Sequence, residues 1–226
     1  MPSHHNASPV NPIPPAIPAL FGVMAVAELT FSLGARGLAG GPEAIGWRVA
    51  AIERFAFSGE ILGWMAQTRS FPPEHVMRLV TYPFVNGAFT STLFACVMLL
   101  ALGKMVAEAL GQGRTLGIFF GSAAGGALIY AALGIGTPLY GGFPPVYGLI
   151  GAFTYLAWIR AKRLGEAQLR AFSLIGVLLG LQLVFGLLFG GGPWWVAEVG
   201  GFVCGFGLTM LMVPGGTRRL IARIRR

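Results

Sequence analysis

The chain has 226 residues, of which 55% are hydrophobic and only 11% charged, with a formal net charge of +8. Soluble domains devote about a quarter of their residues to charge, and the mean hydropathy of +0.71 points instead to a membrane protein. The basic residues sit at the ends of apolar runs and form no separate basic domain, which argues against nucleic acid as a partner.

Residues 1–15 contain His4 and His5 but no Lys or Arg. Without a basic start they do not read as a cleavable signal peptide, and two adjacent histidines are too few for a metal site, so a solvated cytoplasmic tail is expected. The first apolar run, Pro18–Leu33, holds one ionisable group, Glu28, which must find water or a polar partner inside a span. Residues 34–82 form a long first loop. Its Trp47, Phe55, Phe57, Ile61 and Trp64 are spaced as the apolar face of interfacial helices rather than as a span.

Five further apolar runs follow at Pro83–Leu102, Leu116–Leu133, Val146–Trp158, Phe172–Phe189 and Trp194–Val213. The fourth is short against the roughly 20 residues that a helix needs to cross hydrocarbon. Residues 16–213 are therefore expected to form one all-α, six-span bundle, followed by a basic cytoplasmic tail at 214–226. Lys104 and Arg114 follow the second run, and Arg160, Lys162, Arg163 and Arg170 follow the fourth; Arg218, Arg219, Arg223, Arg225 and Arg226 crowd the tail. The loops after the third and fifth runs carry no Lys or Arg. Both termini are thus expected on the cytoplasmic side, in a bacterial inner membrane. The tail would also suit anionic lipid headgroups.

Cys96 and Cys204 lie inside apolar runs and read as small packing residues rather than a disulfide framework. Gly121-x-x-x-Gly125 and Gly201-x-x-x-Gly205 permit close helix approach, which is expected to serve packing within the bundle. Trp194 and Trp195 read as interfacial anchors. No Asp occurs in the chain, and the only histidines are His4, His5 and His75. Neither a metal centre nor a Ser-His or Ser-Lys dyad can be assembled inside a span from this inventory. No cofactor is expected.

Three motifs resemble one family. Gly141-Gly142-Phe143-Pro144-Pro145-Val146-Tyr147-Gly148-Leu149-Ile150-Gly151-Ala152 resembles the catalytic loop and helix start of rhomboid intramembrane proteases, in which Gly-x-Ser-Gly-Ala precedes Val-Tyr-Gly-Leu. Ala197-Glu198-Val199-Gly200-Gly201-Phe202-Val203-Cys204-Gly205 is similar to the family's Ala-His-x-Gly-Gly-x-x-x-Gly. Met77 to Asn86, with Arg78, Thr81 and Phe84, resembles the approach to the family's second span, and Gly103 and Leu110-Gly111 match the end of that helix. The resemblance spans roughly Arg78 to Gly205, and the order and spacing of the motifs carry it.

The departures fall on the chemistry. The resemblance puts Phe143 at the nucleophilic serine and Glu198 at the general-base histidine. The second span's polar helpers correspond to Ser91 and Ala95, and Asn86 stands for a preceding histidine. Pro144 and Pro145 replace residues whose N–H groups serve an oxyanion, and proline has none to give. A hydroxyl nucleophile and a base to activate it are both absent from their expected places. The resemblance therefore implies a pseudoprotease that binds transmembrane segments of other integral membrane proteins without cleaving them. Asn86, Phe143, Pro144, Pro145, Tyr147 and Glu198 would line its client cavity, while Arg78, Gly148, Gly201 and Gly205 would be structural. The alternatives are a permanent subunit of a larger membrane complex and an active intramembrane serine protease, with Ser91 the hydroxyl nearest the expected site. A small-solute carrier is disfavoured, because no inverted repeat is evident.

Overall fold

The computed structural model describes residues 13–165, 167–189 and 192–213. The histidine-bearing N-terminal segment and the basic C-terminal tail lie outside the described residues. In chain order the α-helices are α1 (Ala16–Ala35), α2 (Trp47–Phe55), α3 (Gly59–Thr68), α4 (Pro73–Val76), α5 (Arg78–Thr81), α6 (Phe89–Leu110), α7 (Gln112–Ala132), α8 (Phe143–Leu164), α9 (Ser173–Phe189) and α10 (Trp195–Met212). The described residues contain no β-strand. A single antiparallel bridge pairs Phe57 with Leu139 and ties the first loop to the segment before α8.

Four of these helices, α1, α6, α7 and α10, are long and apolar enough to cross a membrane. This is a multi-pass membrane protein. Each of the six predicted runs overlaps a helix, but α9 has only 17 residues, and the last turns of α8 carry Arg160, Lys162 and Arg163.

The elements follow from the pattern of small and large residues. On α1, Ile17, Leu20, Met24 and Glu28 are buried at steps of three and four, one face of a helix turned to the bundle. Val23, Val26 and Leu29 on the remaining surface are exposed and suit lipid. The buried face of α1 packs against α6, where Leu99, Leu102 and Val106 continue the core. Gly111, at φ +87°, ends α6 and starts α7 with no connecting loop, a conformation open to glycine and strained for other residues.

The tightest packing is between α8 and α10. A Cβ on Gly201 would overlap the Pro144 carbonyl, and one on Gly205 would overlap the Gly148 carbonyl. A Cβ on Gly148 would in turn strike Ser122 of α7. Helices meet here backbone to backbone, the geometry that small-x-x-x-small spacing allows in membranes. Gly121 and Gly125 of α7 receive Leu208 and Cys204 of α10. Both glycine motifs thus serve packing inside this chain.

The second predicted run is displaced. It was expected at 83–102, whereas α6 covers 89–110. Residues 82–84 form a 3-10 turn, and the helix starts only after Asn86 and Gly87. At its other end the helix continues past Lys104, and Lys104 and Glu108 pair one turn apart along it, 3.8 Å between charged atoms. The fourth run, expected to be short, is the core of a 22-residue helix.

Candidate functional site

The site forms where the end of the first loop, the start of α8 and the start of α10 converge. A cavity of about 400 Å³ is lined by Asn86, Gly87, Ala88, Ser91, Leu139, Tyr140, Gly141, Phe143, Pro144, Trp194 and Glu198. Its size falls within the range of small-molecule and side-chain pockets. Asn86, Ser91, Phe143, Pro144 and Glu198, all singled out in the sequence, share this wall.

Pro145 and Tyr147, also expected in this wall, do not line it, and neither does Ala95, the counterpart of a polar helper. Successive residues of a helix turn by about 100°, so Phe143 and Pro144 face the cavity while Pro145 is turned into the bundle, where it is buried. Tyr147 is buried at 5% exposure and packs in the core. Ala95 is fully buried and lies behind the cavity, where a Cβ on Gly142 would touch it.

The start of α8 is built to do without amide donors. Pro144 and Pro145 occupy its first turn, where helix N–H groups have no intrahelical partner and proline is well tolerated. The loop just before it is held from two sides. Asn86 Oδ1 accepts the Gly142 N–H at 3.1 Å, and the Tyr82 carbonyl accepts the Gly141 N–H at 3.0 Å. Gly141 sits at φ +103°, and a Cβ there would crowd Asn86 Oδ1. Tyr82 is itself fully buried, and its hydroxyl donates to the Ala123 carbonyl of α7 at 3.0 Å. Burial, and after it the Glu198 carboxylate, holds the Tyr82 phenol well above its usual range, so it remains a neutral donor.

Behind Asn86 lies a polar network that the sequence did not assemble. Glu28, left there without a located partner, meets the Arg48 guanidinium of α2 through both carboxylate oxygens. Thr92 of α6 donates to Glu28 Oε2 at 2.6 Å, and Ser32 donates to Oε1 at 2.8 Å. Arg48 Nη1 also donates to the Asn86 carbonyl at 2.8 Å. The carboxylate of the first span thus fixes an arginine of the first loop, which fixes the backbone of a cavity residue. A fork of guanidinium on carboxylate is the strong geometry for such a link.

Arg78 lies outside the cavity. Its Nη1 donates to the Ala56 carbonyl at 3.2 Å, joining α5 to the end of α2. Trp194 was read as an interfacial anchor, yet it lines the cavity. Its indole donates to the Pro138 carbonyl at 3.3 Å, and its ring lies 6.3 Å from that of Tyr140. Its place could have been found in the sequence, because Trp194 precedes Glu198 by four residues and so shares its face. Tyr140, Gly87 and Ala88 offered no such signal.

A rhomboid domain family model matches residues 73–215, well over half of the chain. The chain belongs to the rhomboid family. The matched region contains the whole cavity wall, and it begins shortly before Arg78. No curated protein shows significant similarity to the chain. The cavity brings together Phe143 and Glu198, the two residues that the sequence resemblance sets against the family's nucleophile and base. A benzyl group has no atom to attack a carbonyl. Two prolines follow it, and neither has an amide hydrogen to offer an oxyanion. Among the described residues no three His, Cys or Glu side chains converge as a metal site would need.

Proposed function

We propose that this rhomboid protein is a pseudoprotease: it binds transmembrane segments of other membrane proteins in the former active-site cavity and does not cleave them. The observation that carries this reading is Phe143 and Glu198 in one cavity wall, the residues that the sequence resemblance sets against the family's nucleophile and base. The cavity is retained at about 400 Å³, so the space for a ligand survives while the means of hydrolysis do not. Phe143 supplies apolar contact and Glu198 a polar one to an incoming segment. Six spans, with α8 and α9 as the fourth and fifth, and both termini in the cytoplasm of a bacterial cell complete the proposal.

In-membrane photocrosslinking from position 143, with mass spectrometry of the captured proteins, tests it. Many single-span proteins at low occupancy support client binding. One partner in fixed ratio would mean a permanent subunit, and lipid alone would remove this account.

Proteolysis is favoured by one observation, the hydroxyl of Ser91 in the same wall as Glu198. Turnover of a helix-destabilised model substrate that disappears in Ser91→Ala would establish it; no turnover is expected.

A further inference from the structure

A second pocket lies in the first loop, apart from the cavity described above. It has a volume of about 360 Å³ and is lined by Glu60, Ile61 and Trp64 of α3 and His75 of α4. Glu60 and Trp64 are four residues apart and so share one face of their helix. The Trp64 and His75 rings stand perpendicular with centroids 6.2 Å apart, which sets the indole against the next element. Trp64 is 47% exposed and Glu60 is exposed as well, so both present atoms to whatever enters. The Glu60 carboxylate makes no ion pair among the described residues, and no Lys or Arg among them lines the pocket.

Packing fixes the depth of this pocket in a membrane. α3 lies against the end of α7, a helix long and apolar enough to span. A Cβ on Gly59 would come within 3.3 Å of Ala131, and one on Gly136 within 3.2 Å of Glu60 Oε1. The pocket therefore sits where α7 leaves the hydrocarbon, the level of lipid headgroups and of interfacial tryptophans. Phe71, Val76 and Val80, which flank His75 in the chain, expose apolar side chains that suit acyl chains at that level.

We propose that this pocket holds the headgroup of a phosphatidylethanolamine lipid, its ammonium between the Glu60 carboxylate and the Trp64 ring. Both groups attract a cation, one by its charge and the other by the face of its indole. An anionic headgroup such as phosphatidylglycerol meets like charge at Glu60 and finds no Lys or Arg. The primary ammonium carries N–H donors for the carboxylate, as a lysine does. Choline carries none, and a single indole is not the aromatic cage that suits a quaternary ammonium. The bound lipid ties the first loop to the membrane at the end of α7, whatever the cavity binds.

The test uses the full chain in mixed micelles with equal mole fractions of phosphatidylethanolamine, phosphatidylcholine and phosphatidylglycerol of the same acyl chains. Native mass spectrometry counts the lipids retained. Phosphatidylethanolamine is expected to be enriched about ten-fold over phosphatidylglycerol, the order of one exposed ion pair joined to one cation–π contact, with phosphatidylcholine between them. Glu60→Gln keeps the side chain's size and leaves the helix cap, in which the Ile61 N–H donates to Ser58 Oγ at 3.4 Å. It should lower phosphatidylethanolamine to the phosphatidylcholine level, whereas Glu43→Gln, in the same loop but outside the pocket, should leave the enrichment intact. Equal retention of the three lipids, or undiminished enrichment in Glu60→Gln, would overturn the site. Equal losses in the two variants would show a general charge effect and overturn it as well. Carbodiimide coupling of Glu60 to a lysine of another protein in native membranes, with no lipid enriched, would reassign the pocket to a protein partner and overturn the lipid.

Discussion

Replacing Arg48 with methionine tests whether the buried polar network holds the first loop against the bundle. The change removes both hydrogen bonds to Glu28 and the one to the Asn86 carbonyl. Glu28, whose side chain is 6% exposed, is left with Thr92 and Ser32 alone. Removing one member of a buried ion pair costs about 3–5 kcal/mol. The Arg48 side chain is 19% exposed, so water can partly replace it, and the lower end, about 3 kcal/mol, is expected. Unfolding in mixed micelles titrated with sodium dodecyl sulfate, followed by circular dichroism, measures the loss. The double variant Arg48→Met with Glu28→Met replaces both charges with apolar groups and should recover to within about 1 kcal/mol of the unmodified protein. If instead the losses of the two single variants simply add in the double variant, the pair is not coupled, and the argument that Glu28 positions Arg48 is wrong.

Two further changes probe the packing and the chemistry. Gly201→Ala drives a methyl group into the Pro144 carbonyl and should cost about 1–3 kcal/mol in the same assay, whereas Gly207→Ala, which meets nothing within 4 Å, should stay within about 0.5 kcal/mol of the unmodified protein. Phe143→Ser restores a hydroxyl without a histidine to activate it or amide hydrogens on Pro144 and Pro145, so no labelling by a fluorophosphonate probe is expected; strong labelling would show that the remaining residues still form a catalytic centre.

The family was legible in the sequence because its signature is local. Gly148, Gly201 and Gly205 are spaced by helix geometry, and the same spacing brings α8 and α10 into backbone contact. Glu198 was legible for the same reason, as the carboxyl two residues before Gly200-Gly201, where the resemblance sets a histidine. The Glu28–Arg48 pair was not legible. Its members are 20 residues apart across the turn that leads into the first loop, and no periodicity links positions on two different helices. Pro145 and Tyr147 were misplaced because a motif fixes residue identity, while the 100° step of the helix decides which of its residues face the cavity. The start of α6 was misread because Pro83, Phe84 and Val85 are apolar enough to extend a hydrophobic run, although the chain there is a 3-10 turn and a loop.

The central claim is that the degenerate cavity holds a transmembrane segment of another protein. The most direct measurement is site-specific photocrosslinking from Phe143 in native membranes, repeated in Glu198→Leu. The account predicts crosslinks to membrane-spanning segments of several proteins, each reduced when Glu198 is lost. Crosslinks to lipid alone, or protein crosslinks indifferent to Glu198→Leu, would contradict it.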